Sequence, residues 1–206
     1  MKTEEKIPVI GIRRLRIAVD GDGVRTLIGT AGCPLRCRYC LNPQSWNGEG
    51  AAMYLTPEEL YGKVKQDNLY FQATGGGLTL GGGEPLLHMP AMIRLAELCP
   101  EEWNLWAETS LQVEPETVKQ AAGVFDHFLV DLKTADPEIY RAYTGGSVDR
   151  VLENLKLLLD LVGPERITLR IPRIPGFADE DSCRASEEIV RAMGITDIDR
   201  LLYRTK

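Results

Sequence analysis

Long apolar runs and an excess of positive charge are both absent from this 206-residue sequence. No stretch approaches the roughly 20 apolar residues that a membrane-spanning helix needs. The first residues, MKTEEKIPVIGIRRL, are charged and lack the apolar segment of a secretory signal. Lysine and arginine number 24 against 30 aspartates and glutamates, a net charge of −6, which argues against nucleic-acid binding through clustered cations. We therefore expect a cytoplasmic monomer that binds neither membranes nor nucleic acid.

Cysteines are few, but three of the five lie close together. In a reducing cytosol they are not expected to form disulfides, so a group of them indicates metal binding or catalysis. Cys33, Cys37 and Cys40 lie within AGCPLRCRYCLNP, residues 31–43. Cys99 and Cys183 are distant from this segment, and we interpret them as ordinary thiols.

The spacing C-x3-C and C-x2-C provides three metal ligands where thiolate sites usually use four. Three thiolates can hold three corners of an iron–sulfur cube and leave one iron without a protein ligand. Zinc is the alternative, although it would want a fourth Cys or His nearby, and His88 and His127 are remote in sequence. We expect both histidines to be ordinary hydrogen-bonded residues. An iron without a protein ligand is a position for an exogenous one.

Strand and helix patterns alternate about six times, which predicts a parallel sheet with helices outside it. Eight repeats would close a full barrel, so we expect an α/β fold, a partial (β/α)6 TIM-like barrel; an open doubly wound sheet is the alternative. Thr56, Pro57 and Glu59 are typical of a helix start. We expect one domain over residues 1–206 with an N-terminal extension over about residues 1–22. The predicted strands are 25–31, 77–80, 104–110, 127–133, 166–171 and 197–203, and the predicted helices are 56–72, 90–98, 148–162 and 179–193, with helical stretches starting at 114 and 136.

Unusual residues follow the strands, and parallel strands bring their carboxyl ends to one rim. In GGGEP, residues 81–85, glycines allow close approach to the backbone and Glu84 can accept hydrogen bonds from an ammonium group; a simple glycine turn is the alternative. Asp131 and Lys133 share a face at the end of the fourth predicted strand. They form either a buried pair that binds a ligand or a surface salt bridge. Glu108 with Asp131 would form a small acidic cation site.

Taken in order, the cysteine spacing, GGGEP and DLK resemble the radical S-adenosylmethionine superfamily. Within it, the sequence is similar to the activating enzymes of glycyl radical enzymes, from about Val19 to the C-terminus. Each similar segment is short, but together they are specific. The segments are DGDGVRT (20–26), GCPLRCRYCLNPQSW (32–46), LTLGGGEPLL (78–87), FLVDLK (128–133) and LRIPRIPGFADED (169–181).

This resemblance implies a cofactor, a reaction and partners. Cys33, Cys37 and Cys40 would hold a [4Fe-4S] cluster whose fourth iron is chelated by S-adenosyl-L-methionine. An electron from a reduced flavodoxin or ferredoxin would cleave the sulfonium. The 5'-deoxyadenosyl radical would then take a hydrogen atom from a glycine Cα of a partner glycyl radical enzyme. The alternatives are a radical enzyme acting on a small molecule or another peptide, and a non-catalytic iron–sulfur or zinc binding module.

The resemblance also implies the roles of further site residues. Leu41 and Arg204 stand where relatives have histidine, Gly81 stands where serine is usual, and no ferredoxin-like insert follows the cysteines. Glu108, Thr109 and Asp131 match a monovalent-cation site. The residues expected to contact S-adenosylmethionine are Tyr39 and Leu41 near the adenine, Gly82, Gly83 and Glu84 at the methionine amino group, Asp131 and Lys133 by the ribose and carboxylate, and Arg170 and Arg204.

Overall fold

A computed structural model describes residues 6–203, and within them eight strands form one sheet. The strands are β1 (Ile7–Ile17), β2 (Val24–Thr30), β3 (Met53–Leu55), β4 (Gly77–Gly82), β5 (Asn104–Thr109), β6 (His127–Asp131), β7 (Ile167–Arg173) and β8 (Asp197–Leu202). The α-helices are α1 (Pro57–Val64), α2 (Asn68–Thr74), α3 (Met89–Leu98), α4 (Pro115–Ala122), α5 (Pro137–Thr144), α6 (Val148–Val162) and α7 (Glu180–Ala192).

Six of these strands are parallel and follow one another across the sheet in chain order, from β2 through β4, β5, β6 and β7 to β8. β1 pairs antiparallel with β2, and β3 pairs antiparallel with β1. Within residues 6–203, β3 and β8 are the two edges, so the sheet does not close. The chain-order arrangement confirms the partial barrel. A doubly wound sheet is ruled out because its strand order reverses at the switch point.

The inner strands are buried almost continuously because both faces of the sheet are covered. β4 is buried along its length except for its last residue, and the middle of β6 is buried throughout, as is typical of parallel sheets. Outside the sheet, α6 has the predicted bounds and buries Val151, Leu155 and Leu158. No helix in the described part of the chain combines the length and apolar character needed to cross a membrane.

One predicted helix is divided in the structure. Its start is as expected, with a capping box in which Thr56 and Glu59 exchange hydrogen bonds of 2.9 and 3.2 Å. The helix was predicted to run to about residue 72, but a 3-10 turn at Lys65–Asp67 separates α1 from α2. Asp67 is fully buried, and its carboxylate accepts hydrogen bonds from Arg14 and Thr26 of the sheet. We infer that this contact interrupts the helix.

The N-terminal extension forms a hairpin with the first parallel strand, since Ile17 of β1 lies opposite Val24 of β2.

The short strand β3 was not predicted from the sequence. It has three residues, and its pairing partner β1 is more than 30 positions away, so local periodicity gives little signal for it. The strand predicted over residues 127–133 ends earlier, at Asp131.

A buried arginine ties three strands together at the opposite end of the barrel from the cysteines. Arg25 is 1% exposed. Its guanidinium donates to Thr79 Oγ1 at 2.6 Å and to the carbonyls of Leu78 and Asn104 at 2.5 and 2.7 Å. It also lies over the Trp106 ring, 4.6 Å from the centroid. Neutral acceptors and an aromatic face therefore replace the water around this cation.

Candidate functional site

The predicted site residues converge on one cavity of about 390 Å³ at the carboxyl ends of the parallel strands. This is the rim on which sites of α/β barrels form. Among the described residues, Tyr39 is not part of the cavity wall. The prediction for Arg204 lies outside the described residues. The predicted residues that line the cavity are Cys33, Cys37, Cys40, Leu41, Gly82, Gly83, Glu84, Glu108, Thr109, Asp131, Lys133 and Arg170.

The cysteine loop, residues 31–43, has little regular structure and is held by its neighbours. Main-chain hydrogen bonds join it to the C-terminal end of α5, where Arg36 N donates to the Thr144 carbonyl at 2.8 Å and Arg38 N donates to the Tyr143 carbonyl at 3.0 Å. The His88 ring, from the turn after β4, lies 2.7 Å from the Ala31 carbonyl at the start of the loop. His88 therefore supports the loop, in agreement with its interpretation as an ordinary hydrogen-bonded residue.

Glycines let the loop after β4 approach the cysteine loop. Gly83 N donates to the Thr30 carbonyl at 2.8 Å, and Glu84 N donates to the Gly32 carbonyl at 2.7 Å. A Cβ at position 83 would lie 2.4 Å from the Gly32 oxygen. Gly82 has φ of +87°, a conformation that side chains disfavour. The sequence predicted that these glycines admit a ligand; what the structure shows is that they admit a second backbone segment, that of residues 30–32.

The three thiols line one wall of the cavity and are largely shielded from water. Burial raises the pKa of Cys33 to about 12, and burial also raises the pKa of Cys37 although Lys133 opposes the shift. The main-chain N–H of Asn42 donates to Cys40 Sγ at 3.4 Å. Burial therefore disfavours ionisation of Cys33 and Cys37, and a bound cation would favour their thiolate forms.

A [4Fe-4S] cluster fits this donor set better than a single ion does. In residues 6–203 no three His, Cys, Asp or Glu side chains are gathered closely enough to hold one metal ion. A cubane cluster takes each thiolate on a different iron, so its ligands stand farther apart. Besides the three cysteines, no Cys or His lines the described cavity, so its wall would provide a cluster with three cysteine ligands and no fourth Cys or His.

The Glu84 carboxylate is anchored by the end of β5. It is 1% exposed and accepts hydrogen bonds from Thr109 Oγ1 at 2.7 Å and from Ser110 N and Oγ at 2.9 and 2.7 Å. Leu86 N donates a weaker bond at 3.3 Å. Burial raises the pKa of Glu84 despite these donors. Its position against the cysteine loop is therefore fixed by the protein itself.

A chain of alternating charges lines another part of the cavity. Arg170 Nε donates to Asp131 Oδ1 at 2.7 Å, and Arg170 Nη1 donates to Glu108 Oε1 at 2.9 Å. Lys133 Nζ donates to the other Asp131 oxygen at 3.0 Å. Burial opposes ionisation of Asp131, but the charges of Lys133 and Arg170 outweigh it and lower the pKa of Asp131 to about 2. The Lys133 side chain is 10% exposed, so the surface salt bridge is not the correct alternative.

The three residues expected to hold a monovalent cation lie together but are already paired. Arg170 bridges the carboxylates of Glu108 and Asp131, and the Thr109 hydroxyl donates to Glu84. Gly81 makes room for the Glu108 side chain, because a Cβ at position 81 would lie 2.5 Å from Glu108 Oε2.

The remaining predicted residues lie at the margin of the cavity or away from it. Leu41 is 55% exposed at its mouth. Tyr39, which belongs to the cysteine loop, packs edge-on against Tyr143 and Phe177, with ring centroids 6.0 and 5.9 Å apart, and so it holds the loop against these rings. His127 lies 2.8 Å from Thr168 Oγ1, in agreement with its interpretation as an ordinary histidine. Cys99 and Cys183 are not part of the cavity wall.

Sequence reasoning missed several residues that line the cavity. Arg16 of β1 and Asp20 form an ion pair there, and Tyr203 lies beneath Lys133, whose Nζ is 5.6 Å from the ring centroid. Asn42 and Ser110 also contribute. Asn42 and Asp20 lie within quoted segments and Ser110 follows Thr109 directly, so these three could have been included on that ground, whereas Arg16 and Tyr203 carry no local signal.

The chain belongs to the radical SAM superfamily, whose family model matches residues 27–187. Among curated proteins it is similar to the pyruvate formate-lyase-activating enzyme of Staphylococcus aureus, with 32% identity over 169 residues. That match covers 79% of this chain and 66% of the relative, so the chain spans about two thirds of the relative's length. These findings confirm the resemblance inferred from the motifs.

Solved structures agree with this assignment. A domain of the pyruvate-formate lyase-activating enzyme from Bacteroides vulgatus is 27% identical with a TM-score of 0.53, over 63% of this chain and 81% of that one. SuiB from Streptococcus suis, solved bound to S-adenosylmethionine, has a TM-score of 0.65 at 16% identity, over 84% of this chain and 39% of that one. At that identity the second comparison establishes the fold alone.

Proposed function

We propose that this protein activates a glycyl radical enzyme by radical S-adenosylmethionine chemistry. The observation that carries the proposal is that the three clustered cysteines share one cavity with the residues of GGGEP and DLK. The similarity to pyruvate formate-lyase-activating enzymes supports the choice of a protein glycine as substrate. We also propose that residues 1–206 form one domain, and that the protein works in a reducing compartment, because all five cysteines are unpaired.

Within this proposal Cys33, Cys37 and Cys40 hold a [4Fe-4S] cluster. When bound, such a cluster supplies the electron that splits S-adenosylmethionine into methionine and the 5'-deoxyadenosyl radical. That radical would take a hydrogen atom from the glycine Cα of the partner, which would leave 5'-deoxyadenosine and a glycyl radical. A reduced flavodoxin or ferredoxin is the proposed electron donor.

The protein's own groups bind and orient the cofactor. Backbone at Gly82 and Gly83 would face the methionine amino group, with Glu84 behind it. The charged wall formed by Asp131, Lys133 and Arg170 offers both signs of charge, which suits a ligand that carries a carboxylate and ribose hydroxyls.

Other contacts remain predictions at the edge of the cavity. Leu41 would contact the adenine at the mouth, and Tyr39 would act on it only through the loop. Arg204 also stays a prediction. A monovalent cation at Glu108, Thr109 and Asp131 would have to compete with Arg170 for the carboxylates, so we expect cleavage to depend little on which monovalent cation is in the buffer.

Cysteine substitutions test the cluster and the chemistry together. The protein is reconstituted with iron and sulfide without oxygen, then given dithionite and S-adenosylmethionine, and 5'-deoxyadenosine is measured. We expect Cys33→Ala, Cys37→Ala and Cys40→Ala each to abolish the product, because each removes one of three ligands. Cys99→Ala and Cys183→Ala are the matched controls and should retain it.

A second assay tests the substrate. With a glycyl radical enzyme added, the glycyl radical should appear by electron paramagnetic resonance in proportion to 5'-deoxyadenosine. Formation of 5'-deoxyadenosine without any glycyl radical would instead favour a small molecule or another peptide as substrate. If the wild-type protein carries its cluster and makes no 5'-deoxyadenosine, it is not a radical S-adenosylmethionine enzyme for either kind of substrate.

A further inference from the structure

The outer surface around the cysteine loop carries positive charge and no negative charge. Three segments meet there: residues 32–46, 139–148 and 168–178. They contain five arginines and no aspartate or glutamate, in a chain whose net charge is −6. Arg170 lines the cavity, and the other four arginines are exposed. These four, which we call the arginine surface, are Arg36, Arg38, Arg141 and Arg173.

Direct contacts bring the three segments together. Arg38 N donates to the Tyr143 carbonyl at 3.0 Å, which joins the cysteine loop to the end of α5. The Tyr143 ring meets the Phe177 ring edge-on, with centroids 5.0 Å apart, which joins α5 to the segment after β7. Cys37 packs against the same small aromatic cluster. The arginine surface is therefore built from segments that meet beside one of the three thiols.

Within the cysteine loop, thiols and arginines lie on different sides. Cys33, Cys37 and Cys40 line the cavity. Arg36 and Arg38, on either side of Cys37 in sequence, are exposed and do not line the described cavity. The Arg36 guanidinium donates to the Cys33 carbonyl at 2.6 Å. A positive charge thus lies on the solvent side of the loop, against the backbone of a proposed cluster ligand.

Neighbouring carboxylates do not neutralise the arginine surface. Within residues 6–203, none of its four side chains forms an ion pair. Exposed arginines of the outer helices differ, since Arg94, Arg184 and Arg191 each pair with a carboxylate. Arg36 instead lies over the Trp46 ring, 5.5 Å from its centroid. The charge of this surface is therefore available to a partner.

An acidic protein surface is the electrostatic complement of this one, and such complementarity raises the rate at which two proteins associate. The position of the surface favours one partner over another. A glycine substrate has to enter the cavity, whose described wall contains none of the four arginines. An electron has to reach the cluster, and the proposed cluster ligands share a loop with Arg36 and Arg38.

We propose that the arginine surface is the docking site of the electron donor, a small electron-transfer protein whose own surface is acidic. The inference rests on the proposed function, because it takes a cluster held by the cysteine loop as the electron acceptor. In the docked pair, one electron passes from the reduced flavodoxin or ferredoxin to the oxidised cluster. The donor is oxidised, the cluster is reduced, and no covalent bond changes.

Charge reversal on this surface tests the inference. Arg38→Glu, Arg141→Glu and Arg173→Glu are combined in one variant, while Arg36 is kept because its guanidinium holds loop carbonyls. The reconstituted protein is mixed without oxygen with a reduced acidic flavodoxin, and flavodoxin oxidation is followed by absorbance. At low salt the rate should fall about tenfold or more, because charge steering changes association rates by roughly 10- to 1000-fold.

Salt and direct binding provide two further readouts of the same variant. The wild-type rate should fall steeply as the salt concentration rises, because salt screens exposed charges, and the rate of the variant should not. Isothermal titration calorimetry with oxidised flavodoxin, in which no electron is transferred, should show a parallel loss of affinity. With dithionite, which needs no docking site, the variant should make 5'-deoxyadenosine as the wild type does.

Lysines on other elements provide the matched control. Lys63→Glu, Lys65→Glu and Lys156→Glu combined change the net charge equally at exposed positions on α1, on the turn after it and on α6. This control should lose far less of the rate. If the arginine variant cannot hold its cluster, Arg38→Gln, Arg141→Gln and Arg173→Gln decide as single variants, each with a smaller fall in the same direction.

Several outcomes would overturn the inference. It is wrong if the arginine variant is reduced by flavodoxin at the wild-type rate, if the lysine control loses as much, or if the wild-type rate does not depend on salt. It is also wrong if the arginine variant loses only glycyl radical formation with dithionite, since the surface would then bind the glycyl radical enzyme. A wild-type protein that carries its cluster, accepts electrons from flavodoxin and makes no 5'-deoxyadenosine contradicts the proposed function alone.

Discussion

Arg170 shows how one side chain decides what its neighbours can do. Its planar guanidinium offers donors in a fixed fork, and here the fork reaches Asp131 and Glu108 at 2.7 and 2.9 Å. Two carboxylates that looked like cation ligands in the sequence are thus neutralised by the protein itself. The same contact, with Lys133, keeps Asp131 ionised to low pH.

Gly81 and Glu108 depend on each other at the residue scale. Gly81→Ala would place a Cβ 2.5 Å from Glu108 Oε2, so the carboxylate, whose other oxygen accepts from Arg170, must shift. We expect a loss of about 1–3 kcal/mol in the free energy of unfolding, as for other overpacked sites. Urea unfolding measured by circular dichroism checks the change.

A double variant shows whether Gly81→Ala lowers the stability through contact with Glu108 or through a change in the backbone. Glu108→Ala removes the obstructing carboxylate, so Gly81→Ala should cost much less in that background, as interacting neighbours are non-additive. Equal costs in the two backgrounds would show that the two residues do not interact. Gly62→Ala, where a Cβ meets nothing within 4 Å, is the control for adding a methyl group.

At the scale of elements, α6 supports the loop that anchors Glu84. Asn154 is buried on α6, and its amide donates to the carbonyls of Leu111 and Val113 at 2.9 and 2.8 Å. These residues follow directly after β5, whose end supplies the donors to Glu84. A helix on the outer layer thus positions a carboxylate on the inner rim.

We expect Asn154→Ala to destabilise the protein by about 1–3 kcal/mol for each carbonyl left without a donor. Chemical denaturation measures the loss. The loop after β5 should also open more readily, which hydrogen exchange at Ser110 N would report as faster exchange. Asn47→Ala, at an exposed position near the cysteine loop, should change neither quantity. Unchanged exchange at Ser110 in Asn154→Ala would show that the anchor is independent of α6.

At the scale of the whole molecule, stability should depend on pH at both ends of the range. The pKa of Asp131 is lowered to about 2 in the folded protein, against about 3.9 in an unfolded chain. Its contribution is therefore present above about pH 4 and is lost as the pH falls toward 2. Burial raises the pKa of Cys99 to about 12 in the folded protein, against about 8.5 for a thiol in an unfolded chain. The contribution of Cys99 to stability is therefore fully present below about pH 8.5 and is lost as the pH rises toward 12.

The midpoint of urea unfolding of the reduced apoprotein, measured between pH 2 and 11, would show the loss of stability at acid pH (the acid limb) and at alkaline pH (the alkaline limb). At each pH the wild type is compared with the Asp131 and Cys99 variants. Asp131→Asn should flatten the acid limb, and Cys99→Ala should flatten the alkaline limb. An alkaline limb that is equally steep in Cys99→Ala would assign the loss to other groups.

Much of this arrangement could be predicted because it depends on short segments. Thr56 and Glu59 form a cap within one helical turn, and α6 repeats its apolar residues with the period of a helix. The division of the helix at Asp67 could not be predicted, since it depends on Arg14 and Thr26, which lie 53 and 41 positions away.

The sequence by itself determined the alternation of strands and helices, the spacing of Cys33, Cys37 and Cys40, and the rim on which the motifs meet. Periodicity and chain order are local properties, and parallel strands connected in order have few ways to pack. Only the tertiary structure decided that Arg170 pairs with residues 39 and 62 positions away, and that the end of α5 holds the cysteine loop through main-chain hydrogen bonds. Those contacts depend on strand register and on how a helix packs behind a loop, and no local pattern encodes either one.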